Sequence, residues 1–586
     1  MKRNICSFLS VILISNIIVF SSCEDQLNKP APGVASEQTM LTEQGVEALL
    51  VGAYSLLVGK EWFGGCIEAD WVYGSMASDE AVKGTTLGDT PTYNDIENFD
   101  VTPINQAFAY RWLDCYNGVA RTNDCLNIVY KMLDQKLISE ELGRQIEAEA
   151  KFLRAWYHFK ANLVFRNIPY VKTPVEMDGM EAGDVPNDSP GWAQMEEDLK
   201  FAVNTLKPEP RKGEVGRADR WAALAFLSKV YLYQNKMNDA KPLLQEIIDG
   251  GNFSLADNYY DNFHSSKNNN KESVFEIQVS VGAGVNNYTT FGRGILHQKG
   301  PAGFGWGLFQ PTQNLFNTFQ TTDAGLPVLD TEKRVNLEND MNIFSNQEFI
   351  PTQRNLDPRV DYTIARRSVD FLGWGIHPGH AWIRDQANGG PYMTKKFAAE
   401  PSEPTSNGNQ RNARNVRSIR YGHVLLWRAE IAVEDGDLAY ARSLVNQVRT
   451  RAKNSKYVMG RVYKYTLDTQ PTESEIDWTK PAANYFIERY PSDGSINDAF
   501  RNKEEARKAV RVEERLEFAT EGSRFFDLRR WGILEKTMND YVKEDTEFRT
   551  YYRGQNVVFQ SPKDEYWPIP QSQLDIQPAL KQDTNY

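Results

Sequence analysis

The sequence predicts a mainly α-helical protein. Tetratricopeptide-like helix pairs form its scaffold, and a large loop-rich insertion with few short strands interrupts that scaffold. Three observations carry this reading. Apolar residues recur at helical spacing over 42–58, 104–133, 140–165, 192–206, 218–234 and 239–249. Leu224, Leu227, Ser228, Tyr231, Ala240, Leu244 and Ile247 lie over Leu425, Arg428, Ala429, Ala432, Ala441, Val445 and Val448 at a constant offset of 201 residues. From about 253 to 417 the helical period gives way to Gly-rich stretches such as 300–307 and 373–379.

In chain order, Lys2 and Arg3 precede an apolar run over 5–20. The run is too short for a bilayer at about 20 residues per crossing and has the length of a secretory leader. Ser21 and Ser22 put small residues directly before Cys23, which resembles a bacterial lipobox. Residues 1–22 are therefore expected to be a lipoprotein signal peptide and Cys23 the lipidated anchor. Residues 23–38, with Pro30, Pro32 and Gly33, read as an extended tether. A helical region follows over 39–252, broken by polar turn-rich loops at 84–92 and 172–190. Within its last pair, small residues at 228 and 240, matched by 429 and 441, let two helices approach closely, whereas Arg428 departs from the pattern. The C-terminal region, 253–586, starts with a strand at 272–281 and carries the insertion at about 282–417. A last strong helix at 503–520 leads into a tail of turns.

The chain has 66 Lys+Arg against 78 Asp+Glu, a net charge of −12. Loss of Lys2 and Arg3 with the leader leaves 64 against 78, a net −14. Nucleic acid is thus not an expected partner, and polyanions are disfavoured unless a local Lys/Arg cluster overrides the net charge. With 41% hydrophobic and 25% charged residues, wholesale disorder is excluded. Beyond Cys6 and Cys23, only Cys66, Cys115 and Cys125 remain, an odd number without zinc spacing, so buried inert thiols are expected.

Motifs for chemistry are absent. The six histidines never form H-E-x-x-H, and His377-Pro378-Gly379-His380, the one close pair, lacks a nearby Cys or a third ligand and reads as loop polarity. Neither G-x-S-x-G nor a P-loop occurs, and Gly282/Gly284, Gly303/Gly305/Gly307 and Gly373/Gly375 do not complete G-x-G-x-x-G. No local motif favours a glycosidase carboxylate pair. No catalytic residue, metal site or cofactor is expected.

The run R-V-E-E-R-L-E-F-A-T-E-G-S-R-F-F-D-L-R-R-W-G at 511–532 spaces Arg and Glu mostly three or four apart, as helical ion pairs do, and reads as a structural network. It also resembles a block of the SusD/RagB family of outer-membrane lipoproteins. Further matching segments are A-K-F-L-R-A-W-Y-H-F at 150–159, Asn167-Ile168-Pro169-Tyr170, Gly216-Arg217-Ala218, K-E-S-V-F-E at 271–276, Arg420-Tyr421 and W-P-I-P at 567–570. Thr520 and Gln577-Pro578 depart from the family pattern. Glu24-Asp25 resembles the acidic surface-export signal of Bacteroidetes lipoproteins.

The resemblance implies a SusD-like fold and a noncatalytic, cell-surface lipoprotein held in the outer membrane by its lipid anchor. Such a protein binds a nutrient, usually a glycan, and serves as a lid on a SusC-like TonB-dependent transporter. Oligopeptide capture on the same scaffold and a structural adaptor are the alternatives. Sugar rings stack their apolar C–H faces on Trp and Tyr, while their hydroxyls meet Asp, Asn, Lys or Arg. Loops that carry both types supply the candidates: Asp79, Lys83, Tyr93 and Asn94 from the first loop, and Trp306, Trp374 and Trp382 from the insertion. Flanking glycines at Trp306 and Trp374 disfavour a regular buried element there. Trp156, Trp221 and Trp531 lie on helical patterns or matched blocks and read as core.

Overall fold

A computed structural model describes residues 37–58, 70–281, 300, 305–406, 411–463, 475–552 and 555–586. The leader, Cys23, most of the tether, Cys66, Gly282, Gly284, Gly303 and the insertion over 282–299 and 301–304 lie outside the described residues.

The N-terminal region is built from helices α1 (Glu43–Tyr54), α3 (Gln106–Asp134), α4 (Glu140–Phe165), α5 (Trp192–Thr205), α6 (Arg220–Tyr233) and α7 (Met237–Gly250), with a short α2 (Thr92–Glu97). Caps mark their starts: Thr42, Asn105, Ser139 and Asp219 each accept a hydrogen bond from the first-turn backbone. Trp156 on α4 anchors the core, with its ring 4.5 Å from Phe226 and 5.4 Å from Phe275. Trp221 and Trp531 sit half-buried at the core's edge. Cys115 and Cys125 are buried and free.

The 201-residue repeat corresponds to two helix pairs, α6/α7 and α9/α10, the latter being Tyr421–Asp435 and Leu438–Asn454, with the short α8 (Gln313–Thr318) between them in the insertion. Ser228, Ala240, Ala429 and Ala441 are all fully buried, as close helix approach requires. The pairs stack through α7 and α9. Arg428, the departure from the pattern, joins them: its Nε donates to Gln245 (3.1 Å), and its guanidinium lies 4.8 Å from the Tyr440 ring. The repeat is thus a scaffold contact where it breaks the pattern.

Strands occur as two-stranded antiparallel pairs. Strand β1 (Ala81–Gly84) pairs with β3 (Leu308–Pro311), Val82 opposite Gln310. Strand β2 (Ser273–Ile277) pairs with β6 (Val416–Arg420), Ser273 opposite Arg420, which brings the two ends of the insertion together. Short β4 (Ile364–Ala365) and β5 (Met393–Thr394) form a third pair inside the insertion.

At the C-terminal end, α11 (Lys503–Phe518) and α12 (Arg524–Arg530) precede α13 (Leu534–Phe548), a helix where a tail of turns was expected. Its buried Leu534, Met538, Tyr541 and Val542 have helical spacing, so the signal was present in the residues. The charged block is also organised differently from the local pairs its spacing suggests. Only Arg530–Asp527 (2.8 Å) closes within three residues. Arg515 and Arg524 reach Asp79 (3.1 and 2.9 Å), and Glu521 pairs with Arg420 and Lys396 (both 3.0 Å). Arg420, Arg359, Arg449 and Arg451 converge on Glu272, Asp357, Glu513 and Glu517, all buried. Burial pushes the Glu517 carboxyl up, but the surrounding Arg451, Arg420 and Arg359 charges outweigh it and hold it well below the usual range. The block belongs to the core.

Candidate functional site

The loop 84–92 leaves β1 in a tightly specified conformation. Gly84 has φ +72°, and a Cβ there would lie 2.6 Å from the Gln310 amide oxygen and 2.7 Å from the Gly307 carbonyl, so only glycine fits. Thr85 (φ 51°) and Thr90 (φ 45°) are β-branched residues in the left-handed region, a strained arrangement that surrounding contacts must enforce. Those contacts are on hand. Thr85 N donates to the Gly307 carbonyl (2.8 Å), and Asn388 Nδ2 donates to the carbonyls of Gly84 (2.9 Å) and Thr85 (3.0 Å). Lys83 Nζ donates to the carbonyls of Thr86, Leu87 and Asp89 (3.1, 3.1 and 2.8 Å) and draws the loop around itself.

Across this loop lies Trp306, half-buried against the core immediately before β3. Arg384 bridges the two. Its guanidinium lies 5.8 Å from the Trp306 ring, donates to Thr85 Oγ1 (2.9 Å) and pairs with Asp89 (2.5 Å). Asp89 also accepts from the hydroxyls of Thr85 (2.7 Å) and Thr86 (3.0 Å). Burial raises the Asp89 carboxyl, but those hydroxyls and Arg384 together hold it below its usual value. Leu87 at the loop tip is 57% exposed. The result is a half-buried aromatic ring beside a charged, hydrogen-bonded loop rim, which places apolar surface next to donors and acceptors.

The seven expected ligand residues are distributed unevenly around this rim. Trp306 lies in it. Asn94 is half-buried on α2 and donates to the Leu87 carbonyl (3.0 Å), so it supports the loop from beneath. Lys83 is a correction: fully buried, it spends its donors on backbone carbonyls and shapes the loop without facing solvent. Asp79 is another, since it is 2% exposed and held between Arg515 and Arg524. Tyr93 packs into the core, 6.3 Å from the Phe309 ring. Trp382 is 8% exposed, with its ring 5.0 Å from His377 and 6.0 Å from Phe371, and is core as well. Trp374 is half-buried in a turn between Gly373 (φ +80°) and Gly375 (φ +118°), where its indole N–H donates to the Ala399 carbonyl (2.8 Å).

His377, read as loop polarity, is instead fully buried; its Nδ1 accepts from Gly379 N (2.9 Å), and burial lowers its pKa to about 3. Among the described residues no group of His, Cys, Asp and Glu is arranged to hold a metal. Arg384 and Asp89 were not among the candidates. Arg384 meets Thr85 from 299 residues away, a pairing that no local pattern encodes.

Comparison with known proteins gives consistent likenesses. A family model described as "SusD family" matches residues 271–586, just over half of the chain, and one described as "Starch-binding associating with outer membrane" matches 28–232. The SusD-like protein P25 of Formosa agariphila is 24% identical over 97% of both chains. Among solved structures, a SusD superfamily protein from Bacteroides vulgatus is similar with a TM-score of 0.66 at 21% identity, covering 93% of this chain and 99% of that one. Surface glycan-binding protein A from Bacteroides thetaiotaomicron, in complex with laminarihexaose, is similar with a TM-score of 0.63 at 19% identity, covering 93% and 100%.

Proposed function

The chain belongs to the SusD family, and from that premise we propose that it is a noncatalytic glycan-binding lipoprotein of the cell surface, tethered to the outer membrane through Cys23. It delivers oligo- or polysaccharide to a SusC-like TonB-dependent transporter. The observation that carries this reading is the half-buried Trp306 ring set beside Arg384 and Asp89 on a loop whose strain is enforced from all sides. A rigid ring with charged neighbours suits a sugar, which presents a C–H face and hydroxyls at once. The relative solved with laminarihexaose and another described as a laminarin-binding SusD-like protein support the ligand class. The description "Starch-binding associating with outer membrane" supports the location.

Calorimetric titration of the purified chain with laminarihexaose and a starch-derived oligosaccharide tests the reading. Binding without release of reducing ends is expected. Release that a single Asp or Glu substitution abolishes would overturn it. The anchor has its own test: Cys23→Ala leaves the protein in the soluble periplasmic fraction, whereas continued fractionation with the outer membrane contradicts the assignment.

A further inference from the structure

A second polar site lies away from the Trp306 rim. Between α11, α13 and the segment around Arg334 runs a cleft of about 670 Å³, within the size range of small-molecule sites. Seven basic side chains line it against four acidic ones, Asp79, Glu332, Asp540 and Glu544, in a chain whose net charge is −12. Ion pairing within the cleft is incomplete. Arg515 and Arg524 share the single carboxylate of Asp79. Arg334 donates only to the Val328 carbonyl (3.1 Å) and Thr318 Oγ1 (3.3 Å), Arg511 stacks 4.9 Å from the Trp531 ring, and Lys543 is exposed. Among the described residues none of these three has a carboxylate within ion-pairing distance. Buried Nε groups of Arg511 and Arg515 have no hydrogen-bond partner, although a buried guanidinium N–H ordinarily has one.

We propose that this cleft binds a tetrahedral oxyanion of the sulfate or phosphate type. Arg334, Arg511 with Arg515, and Lys543 approach from three separate elements. Cations from three elements thus line one cleft, which suits an anion with oxygens pointing outward all round better than the two coplanar oxygens of a carboxylate. The cations also crowd one another. Burial first, and then Arg515 and Arg524, lower Arg334 to about 9; burial, with the neighbouring Arg524 adding to it, lowers Arg515 to about 10 despite Asp79. A bound anion relieves that repulsion. The site is independent of the glycan reading, since it needs no sugar. The two surfaces are nonetheless close in sequence, because Asp79 at the cleft and Gly84 at the loop are five residues apart, at most about 18 Å along the chain.

The test is titration of the full chain, at matched ionic strength, with sodium sulfate, inorganic phosphate, and a sulfated and an uncharged form of one oligosaccharide. An oxyanion is expected to bind, and Arg334→Gln and Lys543→Gln each to weaken it roughly tenfold, as loss of a charge-assisted contact does, with unchanged melting temperature. Equal affinity for free sulfate and the sulfated oligosaccharide identifies the ligand as the free ion, and a preference for the oligosaccharide identifies it as a group carried on a saccharide. Lys543 is exposed, so its variant keeps the test readable even if Arg334→Gln does not fold. Absence of binding by every anion, or anion affinity unchanged in Lys543→Gln, overturns the proposal.

Discussion

Arg420 and Arg384 are the same residue type in two regions of the molecule, and their surroundings separate what they do. Arg420 is fully buried between Glu272, Glu517 and Glu521 (2.8, 2.5 and 3.0 Å), each itself buried or nearly so. Arg384 is 27% exposed at the side chain and pairs with an Asp89 that is 20% exposed. In the interior, loss of one partner strands a charge in a poorly polarisable medium. At the rim, water replaces the lost partner. The charged core therefore holds the fold, whereas the contacts of the rim can be lost at less cost to stability.

The largest expected effect lies on the core side. Arg420→Ala removes the one cation common to Glu272, Glu517 and Glu521, leaving them to Arg451, Arg359 and Lys396, and should cost about 3–5 kcal/mol, read as a lower denaturation midpoint. A wild-type midpoint would break the comparison.

Next comes a pH effect. Glu80 accepts from Ser75 Oγ (3.0 Å) and Thr520 N (3.1 Å) in the interior. Burial raises its carboxyl to about 7, against the counteracting charges of Arg515 and Arg524. An acid raised on folding keeps a proton that the unfolded chain has already released. Stability should therefore fall as pH rises from the ordinary Glu value of 4.5 through about 7, and then level off. Asp219 and Asp340, also raised to about 7 by burial, act in the same direction. Glu80→Gln should flatten the decline between about pH 5 and about pH 8 without abolishing it. An unchanged slope in denaturant midpoints would show that Glu80 does not titrate there.

The smallest effect on stability belongs to the rim. Arg384→Ala should cost about 1 kcal/mol, since both partners of its pair keep contact with water, yet weaken glycan binding. Destabilisation equal to that of Arg420→Ala would erase the distinction between the two regions.

How far this division was legible in the residues depends on the range of each interaction. Helix pairs were readable because Leu224, Ser228, Ala240 and their counterparts 201 residues on repeat a local period. The charged block was readable as structural, but its partners were not. Arg524 resembles the start of a helical ion pair and instead reaches Asp79, 445 residues away. That one contact converts Asp79 from a plausible sugar-binding carboxylate into a core residue. Lys83 misleads for a related reason, since three carbonyls of its own loop absorb its charge. Trp382 and Trp306 are both insertion tryptophans with glycine nearby, and only tertiary packing, against His377 in one case and Arg384 in the other, tells them apart.

The proposed function puts glycan on a rim centred on Trp306 and leaves the charged core only to support it. Its most direct test is to compare oligosaccharide affinity and melting temperature, in parallel, for the wild-type chain, Trp306→Ala and the Trp306→Ala/Trp374→Ala double variant. Loss of the Trp306 stacking ring should remove about 1–2 kcal/mol, roughly 5- to 30-fold in affinity, while the melting temperature hardly moves. Wild-type affinity in the double variant, with the wild-type protein binding the same oligosaccharide, would place the site on another surface.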